Sequence, residues 1–458
     1  LKGNVICRSI KLNLLSSWTR MNCLVCLGDI CSAKPKGLPL PVCVYRNPNV
    51  HDEAKPSSET AEQVPDSTNP RVWELSQANG RFALSLFKQL AKDKGAEGNI
   101  FMSPLSISTA FAMTKLGACN STLEQIMKVF EFDTIKEKTS DQVHFFFAKL
   151  NCRLYRKKHN TVELVSANRL FGEKSLTFNE NYQNISEIVY GAKLLPLHFK
   201  EKPEMSRQKI NAWVSEKTKG KINETLPEGS IDSTTILVLV NTIYFKGQWK
   251  KKFDKADVTE LPFHVSEKEK CPVPMMYQET KFQYQRFPED GVKVLELPYN
   301  GGGISMVLVL PTENTKLSEV ETQLTLKKLS GWLNATTETT VAVQIPRFRI
   351  EDSFSLKDKM EAMGLHHLFS AEHSSLPGMV ANFTKGLYVS EAYHKAFLEV
   401  NEEGSEAAGA TALAFLGRSL NLNRESFVAN RPFLLFIREF TINAIIFAGR
   451  VANPCKSS

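Results

Sequence analysis

Gly417-Arg418-Ser419 closes a run, Asn401 to Leu420, that is built almost wholly from small or apolar side chains and holds no proline. A flexible glycine, an arginine and a small hydroxyl residue suit a trypsin-like protease, whose acidic specificity pocket pairs with arginine. The triplet alone is common. At the tip of such a run it reads as bait, with Arg418–Ser419 the bond on offer. At period two, Glu406 falls on one side and Ser405, Ala407, Gly409, Thr411, Leu413 and Phe415 on the other. That row runs from small to large and suits entry into an existing sheet. Extended, Gly404 to Arg418 spans roughly 50 Å, the length of a full central strand. An alanine-rich core helix is the competing reading.

A second constellation is SDQVHFFFAKLNCRLYRKKH, residues 140–159. At about 100° per residue, Val143, Phe147, Leu150 and Leu154 form one apolar stripe. Lys149, Arg153, Arg156 and Lys157 fall on another, flanked by Phe145 and Phe146 off the core face. Six basic residues from Lys138 to Lys158 meet only Glu137 and Asp141 nearby, so local neutralisation is poor. Lys34 with Lys36, and Arg71 with Trp73, are further basic islands. A solvated basic face is the bland alternative. A dense polyanion is the ligand such a stripe would hold, by release of counterions. Cys152 lies opposite the core stripe, placed to tether an outside strand.

The elements that must carry these residues are globular. The 458 residues are 42% apolar and 23% charged, with net charge +8, which excludes collagen-like, wholly disordered and small disulfide-scaffold classes. No uninterrupted apolar run reaches membrane-spanning length. The first 28 residues, with Cys7, Cys23 and Cys26, read as a secretory leader. Six cysteines then remain, Cys31, Cys43, Cys119, Cys152, Cys271 and Cys455, an even number suited to an oxidising compartment. Sequons at Asn120, Asn184, Asn223, Asn334 and Asn382 fit secretion, though such triplets also arise by chance. Residues 47–70 are rich in proline and charge, without aromatics, and are expected to be a flexible connector.

From Arg71 onward no comparable break occurs. Phe82, Leu86 and Leu90 recur at helical spacing, and Ser103-Pro104 is a helix start. ILVLV (236–240) and ISMVLVL (304–310) predict strands buried on both faces. Val341, Val343 and Ile345 alternate like a half-buried strand, and HKAFLEV is a strand ahead of the odd run. Helices early and strands later predict an α+β unit.

NTIYFKG (241–247), HKAFLEVNEEG (394–404) and FVANRPFLLFIRE (427–439) resemble the signature blocks of the serpin family. GRSLN, the basic helix and the terminal FAGRVANPC narrow the resemblance to a heparin-activated branch directed at blood coagulation. It covers about residue 29 to the C-terminus. It implies three β-sheets, about nine helices and an exposed reactive-centre loop, in one domain spanning 71–458. Residues 29–70 would be a disulfide-tethered segment with a linker. The implied activity is suicide-substrate trapping of thrombin, factor Xa and factor IXa. The protease attacks Arg418–Ser419, forms an acyl-enzyme and is dragged away as the loop enters the main sheet. The loop hinge would be Glu402, Glu403, Gly404, Ser405, Glu406, Ala407, Ala408 and Gly409, with Ser405 entering first.

The resemblance also implies disulfides Cys31–Cys152, Cys43–Cys119 and Cys271–Cys455. It assigns a heparin or heparan sulfate site to Lys34, Lys36, Arg71, Trp73, Lys138, Phe145, Phe146, Lys149, Arg153, Arg156 and Lys157. Pro70 stands where the family usually has a second arginine, and the sequon usual after the basic helix is absent at Asn160. Tyr277 and Glu279 match an exosite for activated factors X and IX. Secretion into plasma favours the polysaccharide over nucleic acid as the ligand. A monomer without a cofactor, and without membrane insertion, is expected.

No nucleophile elbow, zincin motif, P-loop or paired zinc site is present in the globular part, so no enzyme is expected. His366 and His367 read as surface residues. A non-inhibitory serpin, a carrier or hormone precursor with a glycosaminoglycan site, is the remaining alternative. The small, proline-free GSEAAGATA hinge favours inhibition.

Overall fold

The computed structural model describes Cys43, Val64 and residues 68–136, 142–155, 162–382, 386–405 and 424–456. The leader, most of the connector, Glu406 to Leu420, Lys34, Lys36, Lys138, Arg156 and Lys157 lie outside the described residues.

Nine α-helices are present among the described residues. They are α1 (Pro70–Lys94), α2 (Pro104–Lys115), α3 (Asn120–Val129), α4 (Gln142–Tyr155) and α5 (Glu180–Tyr190). After them come α6 (Pro203–Lys217), α7 (Leu317–Gln323), α8 (Leu326–Ala335) and α9 (Leu356–Ala362). Pro70 is the first helical residue of α1, and Asn69 caps it, its Oδ1 accepting from the Arg71 amide at 2.9 Å. Phe82, Leu86 and Leu90 point inward from α1 as their spacing predicts. Ser103 caps α2 in the same way, accepting from the Ser106 amide.

The strands are β1 (Ile100–Met102), β2 (Val162–Glu173), β3 (Leu195–Leu197), β4 (Leu237–Gln248) and β5 (Val258–His264). They continue with β6 (Lys270–Phe287), β7 (Val292–Pro298), β8 (Ile304–Pro311), β9 (Thr337–Pro346) and β10 (Phe348–Ser355). The last are β11 (Val389–Val400), β12 (Gly404–Ser405), β13 (Glu425–Val428), β14 (Phe433–Glu439) and β15 (Ala444–Val451).

One sheet runs β10-β11-β4-β2-β3, with β12 on β4. The other runs β1-β15-β14-β8-β7-β6-β9-β13, with β5 on β6. Among the described residues two sheets therefore stand where three were expected. The 18-residue β6 pairs with β5, β7 and β9 along its length, joining into one ladder what a shorter strand would leave as two. Both apolar runs, now β4 and β8, are buried on both faces. β4 sits at the centre of its sheet, antiparallel to β2 and parallel to β11. Its odd-numbered residues Leu237, Leu239, Ile243 and Phe245 join the main core. Val238, Val240 and Tyr244 join a smaller one with Ile210 and Val214 of α6.

Candidate functional site: the loop hinge and the basic helix

β11 leaves β4 after the pair Phe397–Tyr244, and the chain turns at Asn401 to Gly404. It then re-enters the sheet. Gly404 pairs with Gln248 and Ser405 with Gly247, antiparallel. Ser405 is fully buried, and its hydroxyl lies 2.9 Å from that of Tyr299. The expected first-entering residue is thus already seated. Gly404 holds φ +141°, and a Cβ there would lie 2.0 Å from the Gly247 carbonyl oxygen, so only glycine fits.

An aromatic box surrounds this seat. Trp249 stacks on Tyr299 with centroids 4.5 Å apart, and Phe245 meets Tyr299 edge-on at 4.8 Å. The Trp249 indole N–H donates to the Asn401 carbonyl at 2.9 Å, and its amide donates to the Glu403 carbonyl at 3.0 Å. Arg347 Nε donates to Glu402 at 3.1 Å, and Lys252 pairs with Glu403 at 2.5 Å. Nothing in local pattern marks Tyr299, Trp249, Arg347 or Lys252 for this role, because each is distant along the chain from the hinge. Glu406, Ala407, Ala408, Gly409 and the Arg418–Ser419 bond lie outside the described residues.

The far end of the loop is anchored as well. Arg424 pairs with Glu279 and donates to the Tyr277 hydroxyl at 3.4 Å. Tyr277 in turn donates to Glu279 at 2.9 Å. The two expected exosite residues therefore form one half-buried cluster on β6 that grips the chain entering β13.

Below the hinge, β4 and β11 are joined by a buried polar network. The Ser103 amide donates to His394 Nε2 at 3.2 Å, so the ring carries its proton on Nδ1 and donates to Asn241 Oδ1 at 2.5 Å. Asn241 donates to the Ser106 hydroxyl at 2.7 Å, which lies 2.8 Å from that of Ser166. Burial pushes His394 down to about 3, holding it neutral.

α4 turns Val143, Phe147, Leu150 and Leu154 into the core, as the stripe predicts. Phe145 and Phe146 are also buried, at 3% and 2% exposure, which overturns their expected position off the core face. α1, α5 and β2 all pack on α4, so its buried arc is wider than one stripe. Lys149 lies 5.0 Å over the Phe145 ring. Arg153 pairs with Glu439 at 3.0 Å, and Arg71 with Glu74 at 2.7 Å. Glu74 also accepts from the Lys136 amide, which brings the start of α1, with Arg71 and half-buried Trp73, to the approach of α4. Inside α4, His144 Nε2 lies 3.3 Å from Lys115 Nζ, and its Nδ1 is 2.5 Å from the Tyr190 hydroxyl. Burial, then the Lys115 charge, hold His144 well below the usual histidine range.

Cys43–Cys119 and Cys271–Cys455 are formed, with Cα separations of 5.4 and 6.4 Å. Cys152 is disulfide-bonded as well, and Cys31 lies outside the described residues. Cys152 is half-buried against the core rather than opposite it. Of the sequon asparagines, Asn120, Asn223, Asn334 and Asn382 are exposed and Asn184 is half-buried. His366 is exposed, whereas His367 is half-buried, its Nδ1 2.6 Å from the Ser121 hydroxyl.

A family model described as Serpin (serine protease inhibitor) matches residues 77–454. The chain is 59% identical to antithrombin-III of Mus musculus over 440 residues, covering 95% of this chain and 94% of that protein. It is 58% identical to antithrombin-III of Homo sapiens, covering 97% and 96%. Among solved structures, uncleaved ovalbumin aligns with a TM-score of 0.75 at 32% identity, covering 83% of this chain and all of that one. Human thyroxine-binding globulin complexed with thyroxine gives 0.75 at 29% identity, covering 84% and 100%.

Proposed function

The chain belongs to the serpin family, and from that premise we propose that it is a secreted plasma inhibitor of trypsin-like coagulation proteases, thrombin, factor Xa and factor IXa among them. Heparin or heparan sulfate activates it. The proposed chain comprises a leader (1–28), a tethered segment (29–70) and one serpin domain (71–458), glycosylated at sequons and monomeric.

The observation that carries this reading is the seat of Ser405 between β4 and β11. A chain whose loop already begins a strand of its central sheet has a place for the remainder once Arg418–Ser419 is cut. The protease serine attacks the Arg418 carbonyl, and insertion separates the acyl-enzyme from its body before water completes hydrolysis. The same seat explains restraint before activation, because a hinge held in the sheet keeps the bait close to the body. A polyanion that binds the α4 and α1 basic residues more tightly when the hinge is out would release it. Lys149, Arg153, Arg71, Trp73 and the buried Phe145 and Phe146 are the described members of that site. The identity to antithrombin-III supports coagulation proteases as targets.

Incubation with thrombin or factor Xa, with and without heparin, tests the reading. An SDS-stable complex that forms faster with heparin is expected. Arg418→His should fold and bind heparin yet lose inhibition of both proteases. Cleavage without complex formation would point instead to a non-inhibitory serpin.

A further inference from the structure

A cavity of 420 Å³ opens between α4, β2, α5 and α6, on the flank of the six-stranded sheet. Leu164, Val189 and Ala148 give it apolar wall, and Asn151, Arg169 and Trp213 give it polar wall. Three side-chain atoms of that polar wall are buried with no hydrogen-bond partner among the described residues: Arg169 Nε, Trp213 Nε1 and Asn151 Oδ1. Buried polar atoms are almost always paired, and each left unpaired is destabilising. Three on one cavity is a concentration that packing does not explain.

The chemistry of the three is specific. The Arg169 guanidinium stacks on the Trp213 ring at 4.8 Å, so two unpartnered N–H groups share one wall of the cavity. Burial lowers the Arg169 pKa, and no acid opposes that shift. The carboxylate on the wall, Glu187, is engaged by Lys193 at 3.0 Å. A cationic and a neutral N–H donor, desolvated and lacking a counter-charge among the described residues, beside an apolar wall match an anion with a hydrocarbon body.

We propose that this cavity binds a small amphipathic carboxylate. Its carboxylate accepts from Arg169 Nε and Trp213 Nε1, and its apolar body lies along Leu164 and Val189. Asn151 Oδ1 takes a hydroxyl or N–H carried by the same ligand. The site is separate from the basic outer stripe of α4 and from the loop hinge.

Decanoate is a suitable probe, with decanol as its neutral counterpart. Titration of the full chain, read by tryptophan emission and calorimetry, is expected to show saturable one-to-one binding of decanoate. Loss of the acid group should weaken binding about tenfold, the usual scale for a charge-assisted hydrogen bond. Arg169→Met should lower decanoate affinity by about the same factor and leave decanol within about twofold. Trp213→Phe should weaken decanoate and abolish the emission change. Absence of saturable binding, equal affinity for acid and alcohol, or unchanged decanoate affinity in Arg169→Met overturns the proposal. If Arg169→Met does not fold, the acid–alcohol comparison on the unaltered chain and the Trp213→Phe titration decide it.

Discussion

The hydroxyls of Tyr299 and Ser405 lie 2.9 Å apart although 106 residues separate them, and both side chains are shut off from solvent. Tyr299 is itself clamped between Trp249 and Phe245, so it cannot follow the hinge outward. Releasing the hinge therefore breaks this bond and uncovers a rigid aromatic wall. The contact sits where a ligand bound elsewhere could tip the balance between the two loop positions.

Tyr299→Phe should shift that balance toward the released hinge. A net hydrogen bond contributes about 0.5–1.5 kcal/mol, hence roughly a two- to tenfold change in the equilibrium. Faster inhibition of factor Xa without heparin, and a smaller heparin acceleration, are expected. Ser405→Ala should do the same, and the double variant should add little to either. Fully additive effects on the uncatalysed rate constant would show that the two hydroxyls act independently.

Stability should fall with acid in a window set by two histidines. His394 is held at about 3 in the folded chain against an ordinary value of 6.5, and His144 is held well below that value. Both are neutral when folded, so their burial is without penalty above pH 6.5. As the pH drops from 6.5 toward 3, the unfolded chain takes up protons that the folded chain refuses. Each histidine then removes about 1.4 kcal/mol per pH unit. Urea unfolding between pH 7.5 and 5 should show this slope, and His394→Gln should reduce it by about half.

Glu439 competes with any polyanion for Arg153. Glu439→Gln is expected to tighten heparin about two- to fivefold, the scale of a partly exposed ion pair. Arg153→Ala should weaken binding and make it less sensitive to salt. Heparin titrations at several salt concentrations check both, and unchanged affinity in the two variants would remove Arg153 from the site.

The cluster of Tyr277, Glu279 and Arg424 predicts linked effects. Tyr277→Ala should slow heparin-activated inhibition of factor Xa while leaving heparin affinity unchanged. Arg424→Ala frees Glu279 from the loop and should alter the same rate constant. If neither variant changes factor Xa inhibition, the exosite assignment is wrong.

Much of this was legible from local pattern. The caps of α1 and α2, the buried strands β4 and β8, and the core stripe of α4 follow from residue type and spacing over a few turns. Phe145 and Phe146 misled because one period can describe only one buried face, whereas α4 is packed on several sides. Three consecutive phenylalanines already carried that warning. The sheet count among the described residues differs from the expected three for a comparable reason, since the length of β6 decides whether two ladders join. Tyr299, Arg347 and Lys252 were invisible at the hinge because nothing in their own neighbourhoods points to it.

The pairing of Ser405 with Gly247 also fixes a destination. Were β11 to move off β4, which it now pairs from Leu237 to Tyr244, the same ladder continued residue for residue would set Glu406 against Lys246, opposite charge to charge, and Phe415 against Leu237 at the strand's last rung. The odd-numbered loop residues would then fall over Phe245, Ile243, Asn241, Leu239 and Leu237, of which all but the buried polar Asn241 belong to the main core. Full occupancy of that slot carries the cut end about 40 Å along the sheet. Arg418 lies three positions past the residue that would reach its floor, so whatever is bonded to it would arrive at the opposite pole of the molecule with almost no slack.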